Sequence, residues 1–168
     1  MEVFPVEIAL NREAVWLGWV SPEDGGASFL TKEDRLIFSC NGSDNLMWEV
    51  MRMFPGAQFG VASFFDLDSI VGKFSKNLIL EGDFALNVWN LLTDLYHTFG
   101  GADTTFSERH VDVYRRLFSQ SESAPIVGVR RVRLSTHDME VVREVLLEGV
   151  ELFAQRVGAA KAAKSLAT

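Results

Sequence analysis

The stretch that decides how this chain folds is residues 81–100, EGDFALNVWNLLTDLYHTFG. At 3.6 residues per turn its apolar side chains cover most of the helix circumference. They are Phe84, Leu86, Val88, Trp89, Leu91, Leu92, Leu95, Tyr96 and Phe99. Asp83 is placed to cap the N-terminus, and the glycines at 100–101 are placed to end the helix. Because such a helix must be covered on several sides, the stretch predicts a buried central helix around which the other elements pack.

One stripe of this helix stays polar and consists of Asn87, Asn90, Asp94 and His97. Asp94 and His97 are three residues apart, so their side chains can meet on one helix face. Asn90, Asp94 and His97, together with Arg131, therefore form a candidate ligand pocket or an undetected hydrolase site. A catalytic triad would also need a nucleophile, and the sequence identifies none. The alternative is a stripe that faces solvent or a hydrogen-bonded buried pair.

The length and cysteine content bound the class of protein. With 168 residues, the chain predicts one globular domain over residues 1–158, followed by a tail over 159–168 that is either a frayed helical extension or disordered. Cys40 is the single cysteine, which excludes an intramolecular disulfide and fits a reducing compartment. The N-terminus shows no signal peptide, and no apolar run approaches the ~20 residues of a membrane helix. These features predict a cytoplasmic location and no membrane association.

The charge of the chain is uneven. Residues 1–100 hold 6 Lys/Arg and 14 Asp/Glu, a charge of −8, and residues 101–168 hold 10 and 9, a charge of +1, which together give −7. An acidic chain is repelled by nucleic acid and by anionic membranes. We therefore expect no nucleic-acid partner, and a protein partner, if there is one, to be basic.

Alternating and turn-forming residues predict an antiparallel N-terminal sheet. Alternation over residues 6–10 and apolar residues over 14–20 indicate two strands. The turn sequence SPEDGG at 21–26 then leads to shorter strands at 27–31 and 35–40. A short helix with an apolar stripe ending at Phe54 follows. Residues 59–65 then predict an internal strand that leads into another short helix.

The chain after the central helix predicts further elements. A capping-box pattern at 105–108 starts a third helix, and the polar segment SQSESA at 119–124 predicts a flexible loop. Residues 126–134 predict a last strand with Arg131 and Arg133 on one face. Two adjacent guanidinium groups can hold a phosphate or carboxylate. The alternative is that they mark the wet face or a protected edge of the sheet.

A long final helix is predicted from a cap at Ser135 or Thr136 through Val157, with Gly158 ending it. Its polar face carries an acidic ridge formed by Glu140, Glu144, Glu148 and Glu151. Like charges at this spacing cost a few tenths of a kcal/mol per pair. The ridge is therefore either a contact surface for a basic partner or an ordinary solvated helix face.

The sequence carries none of the common catalytic or cofactor signatures. It lacks a G-x-S-x-G elbow, a P-loop and a G-x-G-x-x-G dinucleotide motif. The three histidines, His97, His110 and His137, do not have zinc-ligand spacing. These patterns predict a protein that is not an enzyme and that uses neither a metal nor a cofactor.

The segment WNLLTDLYHTFG at 89–100 resembles a segment of small bacterial immunity-type proteins. The resemblance covers about a dozen residues of one helix. It implies a non-enzymatic protein of bacterial competition that neutralises a toxin from a contact-dependent or secretion system by binding it directly. The expected partner is then the cognate protein toxin.

Together these observations predict an α+β fold. An N-terminal antiparallel sheet with additional later strands packs against about four helices, including the buried central helix and the long C-terminal helix. The predicted function is toxin neutralisation through protein–protein interaction, with the acidic ridge as the candidate surface. The alternatives are a small-ligand-binding domain or small hydrolase that uses the polar stripe, and a homodimer.

Overall fold

The computed structural model describes residues 1–21, 26–75, 82–99, 108–127 and 134–165. The fold is α+β, as predicted, with five helices in these ranges. The strands are β1 (Glu2–Leu10), β2 (Glu13–Val20), β3 (Ser28–Phe29), β4 (Thr31–Lys32), β5 (Arg35–Leu36), β6 (Phe38–Ser39), β7 (Gln58–Phe59) and β8 (Ser63–Asp66). The helices are α1 (Ser43–Met53), α2 (Leu67–Ser75), α3 (Gly82–Thr98), α4 (Glu108–Val127) and α5 (Thr136–Ser165).

The main sheet is built on the antiparallel β1–β2 hairpin, whose register runs from Phe4 opposite Trp19 to Leu10 opposite Glu13. β3 and β6 pair with β2 in antiparallel fashion, which confirms the predicted N-terminal arrangement. The later strands β7 and β8 join the other side of β1 in parallel, so the sheet is mixed. β4 and β5 form a separate two-stranded hairpin.

The hairpin turn between β1 and β2 is anchored by a carboxylate from α2. Asn11 and Arg12 both have positive φ, 55° and 63°, the geometry of a tight two-residue turn. The backbone N–H groups of Asn11 and Arg12 donate to the two carboxylate oxygens of Asp68, at 2.7 and 2.9 Å. The carboxylate thus ties the tip of the hairpin to the start of α2.

Helices cover both faces of the sheet. Val6, Ile8, Val15 and Leu17 are buried against the layer that contains α3 and α5. On the opposite face, a smaller core joins the sheet to α1. The buried members of this smaller core are Val3, Leu30, Ile37, Leu46 and Val50. Strand alternation thus supplies two apolar faces, and the sheet forms the middle of three layers.

The buried central helix predicted from residues 81–100 is confirmed as α3. Trp89, Leu92 and Leu95 are each 1% exposed, and α3 contacts α4, α5 and β3. The helix begins at Gly82, so Asp83 lies in its first turn and the prediction that Asp83 is the cap is wrong. The predicted end at residues 100–101 lies outside the described residues.

The predicted internal strand over 59–65 is wrong in extent and position. The chain forms β7 and β8 separately, and residues 60–62 between them are not in a strand. Both strands pair only with β1 in the described part of the chain, so β8 lies at an edge of the sheet. Phe64 is consequently 61% exposed. The predicted strands at 27–31 and 35–40 are likewise each divided in two, because the chain alternates between the main sheet and the β4–β5 hairpin.

Helix α4 replaces the predicted loop at 119–124 and the start of the predicted strand at 126. Both predictions are wrong. Polar residues also suit the exposed face of a helix, and Ser119 is exposed there, with its hydroxyl donating to the carbonyl of Arg116. The remainder of the predicted strand, residues 128–133, lies outside the described residues and includes Arg131 and Arg133.

Helix α5 continues past Gly158 to Ser165, so the prediction that Gly158 ends it is wrong. Two contacts explain the extension. Ala160 is buried in the core at 7% exposure, and Lys161 forms an ion pair with Glu13 at the start of β2. The helical alternative for the tail therefore applies up to residue 165.

Candidate functional site

The polar stripe of α3 joins this helix to its neighbours. The indole Nε1–H of Trp19, on β2, donates to the Asp94 carboxylate at 2.9 Å. The Tyr114 hydroxyl, on α4, donates to the Asn90 side-chain oxygen at 2.9 Å. His97 and Asn87 face solvent. Asn90 therefore connects α3 to α4, and Asp94 connects α3 to the sheet. Arg131, the fourth residue of the candidate pocket, lies outside the described residues.

Partial burial determines the electrostatics of Asp94. Desolvation raises the pKa of this carboxyl group, while the hydrogen bond from Trp19 and the nearby charge of His97 act in the opposite direction. One turn later, the Thr98 hydroxyl donates to the Asp94 carbonyl and accepts from the backbone N–H of Phe29 on β3. These hydrogen bonds anchor α3 to the sheet.

The described residues contain no group of three or more His, Cys, Asp or Glu side chains placed to hold a metal ion. Cys40 is exposed. Of the other two histidines, His110 is buried on α4 and His137 is exposed in the first turn of α5. The geometry therefore assembles no metal site in the described ranges.

The acidic ridge lies on the solvent side of α5. All four of its glutamates, Glu140, Glu144, Glu148 and Glu151, are exposed. The buried face of the same helix, which includes Val142, Leu146 and Phe153, points into the core on the opposite side. At 1.5 Å per residue the four glutamates span about 16 Å, and the 3.6-residue period keeps them on one face.

The start of α5 is held firmly in place. The Ser135 hydroxyl accepts from the backbone N–H of Asp138 at 3.1 Å, which confirms Ser135 as the predicted cap. The Asp138 carboxylate receives two hydrogen bonds from Arg116 on α4, at 2.7 and 3.1 Å, and these lower the pKa of the Asp138 carboxyl group. Local sequence patterns do not indicate this pair, because its members lie on different helices. The pair fixes the beginning of the helix that carries the ridge.

Exposed apolar side chains occur on α1 and at the edge of the sheet. Trp48 and Met51 on α1 are 60% and 48% exposed. The guanidinium carbon of Arg52 lies 5.4 Å from the centre of the Trp48 ring. Phe64 on β8 is the comparable residue at the sheet edge. An exposed Trp next to an Arg is typical of protein-contact hot spots, and sequence periodicity placed Trp48 only near the border of the helix stripe.

Fold and surface together define an α+β protein whose last helix presents an exposed acidic face. Comparisons with protein-family models, with curated proteins and with solved structures give no match. Among the helices of the described residues, none combines the length and the apolar character that crossing a bilayer requires.

Proposed function

We propose that this chain is a non-enzymatic protein-binding module, and most concretely an immunity protein that neutralises a basic bacterial toxin by direct binding. The observation that carries the proposal is the solvent face of α5, where four exposed glutamates lie on the same side of the helix. Opposite charges on two partners steer their encounter and select against wrong partners. A face of this kind fits a basic surface on the toxin.

The way α5 is anchored supports this role. Val142, Leu146 and Phe153 pack the helix into the core along its length. The bonds of Asp138 to Ser135 and Arg116 hold its first turn. A surface that is ordered before binding loses little conformational entropy when the partner docks. The glutamates are therefore presented on a rigid support.

The polar stripe of α3 offers less support for the alternative of a ligand pocket or hydrolase. Asn90 and Asp94 are engaged by Tyr114 and Trp19, and these bonds connect elements of the fold. A catalytic carboxylate must be free to exchange a proton with a substrate. The protein-binding proposal requires no such group.

The test is co-expression of this chain with the toxic domain encoded by an adjacent gene. We expect the chain to restore growth of the host cell. The variant Glu144→Lys/Glu148→Lys should restore growth less well, because its lysines face the basic partner. The matched control is Glu2→Lys/Asp112→Lys, which also changes the net charge by +4, from −7 to −3, at exposed positions elsewhere.

Full protection by the control together with loss of protection by the α5 variant supports the proposal. Equal protection by both variants would exclude the α5 face as the contact surface. Absence of protection by the unmodified chain, for the products of both adjacent genes, would count against the immunity function itself.

A further inference from the structure

A cavity of about 350 Å³ lies between the β4–β5 hairpin and one flank of α1. Its apolar lining includes Leu36, Phe38 and Met53, and its charged lining includes Lys32, Arg35 and Arg52. Small-molecule sites in proteins commonly measure ~300–1,000 Å³, so the cavity is large enough for a small ligand. It is separate from the α5 ridge and from the polar stripe of α3.

Three basic side chains line the cavity, although the surrounding sequence is acidic. Lys32, Arg35 and Arg52 are three of the 6 Lys/Arg among residues 1–100, a segment whose net charge is −8. Lys32 and Arg35 are paired across the β4–β5 hairpin, and the fold brings Arg52 of α1 beside them. A convergence of this kind is characteristic of anion sites.

These three cations form no ion pair with any carboxylate of the described residues. Glu33 and Glu49 also line the cavity, so its described lining carries three positive and two negative charges. The net charge of this lining is +1, and an anionic ligand that contacts Lys32, Arg35 and Arg52 would offset it.

Arg52 is already oriented by a neighbour. Its guanidinium carbon lies 5.4 Å from the centre of the Trp48 ring, within the range of a cation–π contact. A guanidinium that is held in position loses less entropy when it binds an anion, and its planar fork matches phosphate and carboxylate oxygens. The site therefore combines one ordered arginine with a second arginine and a lysine.

The adjoining cavity provides room for the rest of a ligand. It measures about 360 Å³, shares Phe38 and Glu49 with the first, and is also lined by Asn45. Its neutral polar groups suit an uncharged polar part of a ligand rather than further anionic groups. The two cavities together follow one flank of α1.

We propose that the cavity between the β4–β5 hairpin and α1 binds a small molecule with two or more phosphate or carboxylate groups. Lys32, Arg35 and Arg52 hold the anionic groups, and the apolar lining holds adjacent carbon atoms. The site does not depend on a protein partner. Its occupancy is therefore testable with the isolated chain.

Isothermal titration calorimetry of the full chain with inorganic pyrophosphate and, separately, with citrate tests the proposal. We expect saturable one-to-one binding of at least one anion, weakened by added salt. Arg35→Gln and Arg52→Gln should each weaken binding by about tenfold, since each removes a charge-assisted hydrogen bond. Glu33→Gln should tighten binding, because it removes a negative charge from the lining.

Arg143→Gln is the matched control, because Arg143 is an exposed arginine on α5, away from the cavity. Its affinity should equal that of the unmodified chain, and circular dichroism should show that every variant keeps the fold. Binding of pyrophosphate but not of citrate would identify phosphate as the preferred group, and the reverse would identify carboxylate. Absence of saturable binding of both anions at millimolar concentration would overturn the proposal. Equal loss in the control and the cavity variants would do the same.

Discussion

Helices α3 and α5 lie close together at Gly149, and replacing this glycine by alanine probes their packing in the core. A Cβ atom at Gly149 would lie 2.5 Å from Cδ1 of Leu92 and 2.9 Å from both Cβ and Cγ of the same residue. Ordinary carbon–carbon contacts are about 3.5–4.0 Å. The Cδ1 contact can be relieved by rotating the side chain. The Cβ contact cannot, because that atom is fixed by the backbone of α3.

The expected magnitude follows from two opposing terms. An extra methyl group in a packed core costs about 1–3 kcal/mol, and the upper part of this range applies because Leu92 is 1% exposed and surrounded by core residues. Alanine also favours the helix over glycine by about 1 kcal/mol. Gly149→Ala should therefore lower the free energy of unfolding by about 1–2 kcal/mol.

Gly158→Ala is the matched control in the same helix. Nothing lies within 4 Å of a Cβ atom at Gly158, so only the helix preference applies. This variant should gain about 1 kcal/mol. The assay is urea unfolding monitored by circular dichroism. The free energies of unfolding of both variants are compared with the same m-value, the dependence of that free energy on urea concentration. If Gly149→Ala proved as stable as Gly158→Ala, the close packing of α3 on α5 would be refuted.

Two further predictions concern buried carboxylates. Asp94→Asn keeps an acceptor for Trp19 and should leave the free energy of unfolding at neutral pH unchanged or higher, whereas Asp94→Leu should lose about 1 kcal/mol because the half-buried indole N–H has no acceptor. Equal urea midpoints for these two variants would contradict the hydrogen bond. The hydrogen bonds from Arg116 hold the pKa of Asp138 below its ordinary value in the folded state, so the unfolded chain takes up its proton first as the pH falls through the acidic range, and the free energy of unfolding decreases as the pH falls. Asp138→Asn should flatten this slope in urea unfolding measured across acidic pH, and an unchanged slope would mean that Arg116 does not stabilise the carboxylate.

The sequence predicted the elements whose side chains repeat regularly. The near-continuous apolar surface of residues 81–100 correctly indicated burial, because a helix of that composition has no stable solvent-facing arrangement. The period of Glu140, Glu144, Glu148 and Glu151 correctly placed them together on an exposed face. A regular local pattern predicts burial or exposure correctly when it depends on one helix or strand alone.

Other features depended on partners that are distant in the chain. The helical spacing predicts Asp94 in a possible pocket with His97, but the hydrogen-bond donor to Asp94 is Trp19, which is 75 residues away. Polarity at 119–124 suggested a loop, although an exposed helix face has the same composition. Gly158 suggested a helix end, yet burial of Ala160 extends α5 beyond it. Long-range packing decided each of these cases.

The candidate cavity could not be predicted from local sequence patterns either. Lys32 and Arg35 lie on two short strands, and Arg52 follows on a helix. Only the packing of the β4–β5 hairpin beside α1 brings their side chains around one space. In the sequence these residues look like isolated surface charges.

The proposed contact between the acidic face of α5 and a basic protein partner can be measured on purified proteins. Its most direct test is the dissociation constant of the purified complex with the toxic domain from an adjacent gene, measured by calorimetry for the unmodified chain, for Glu144→Lys/Glu148→Lys and for Glu2→Lys/Asp112→Lys. We predict that the α5 variant binds at least about tenfold more weakly, with a smaller dependence on salt, while the control differs less. Equal dissociation constants for the two variants would contradict the proposed contact.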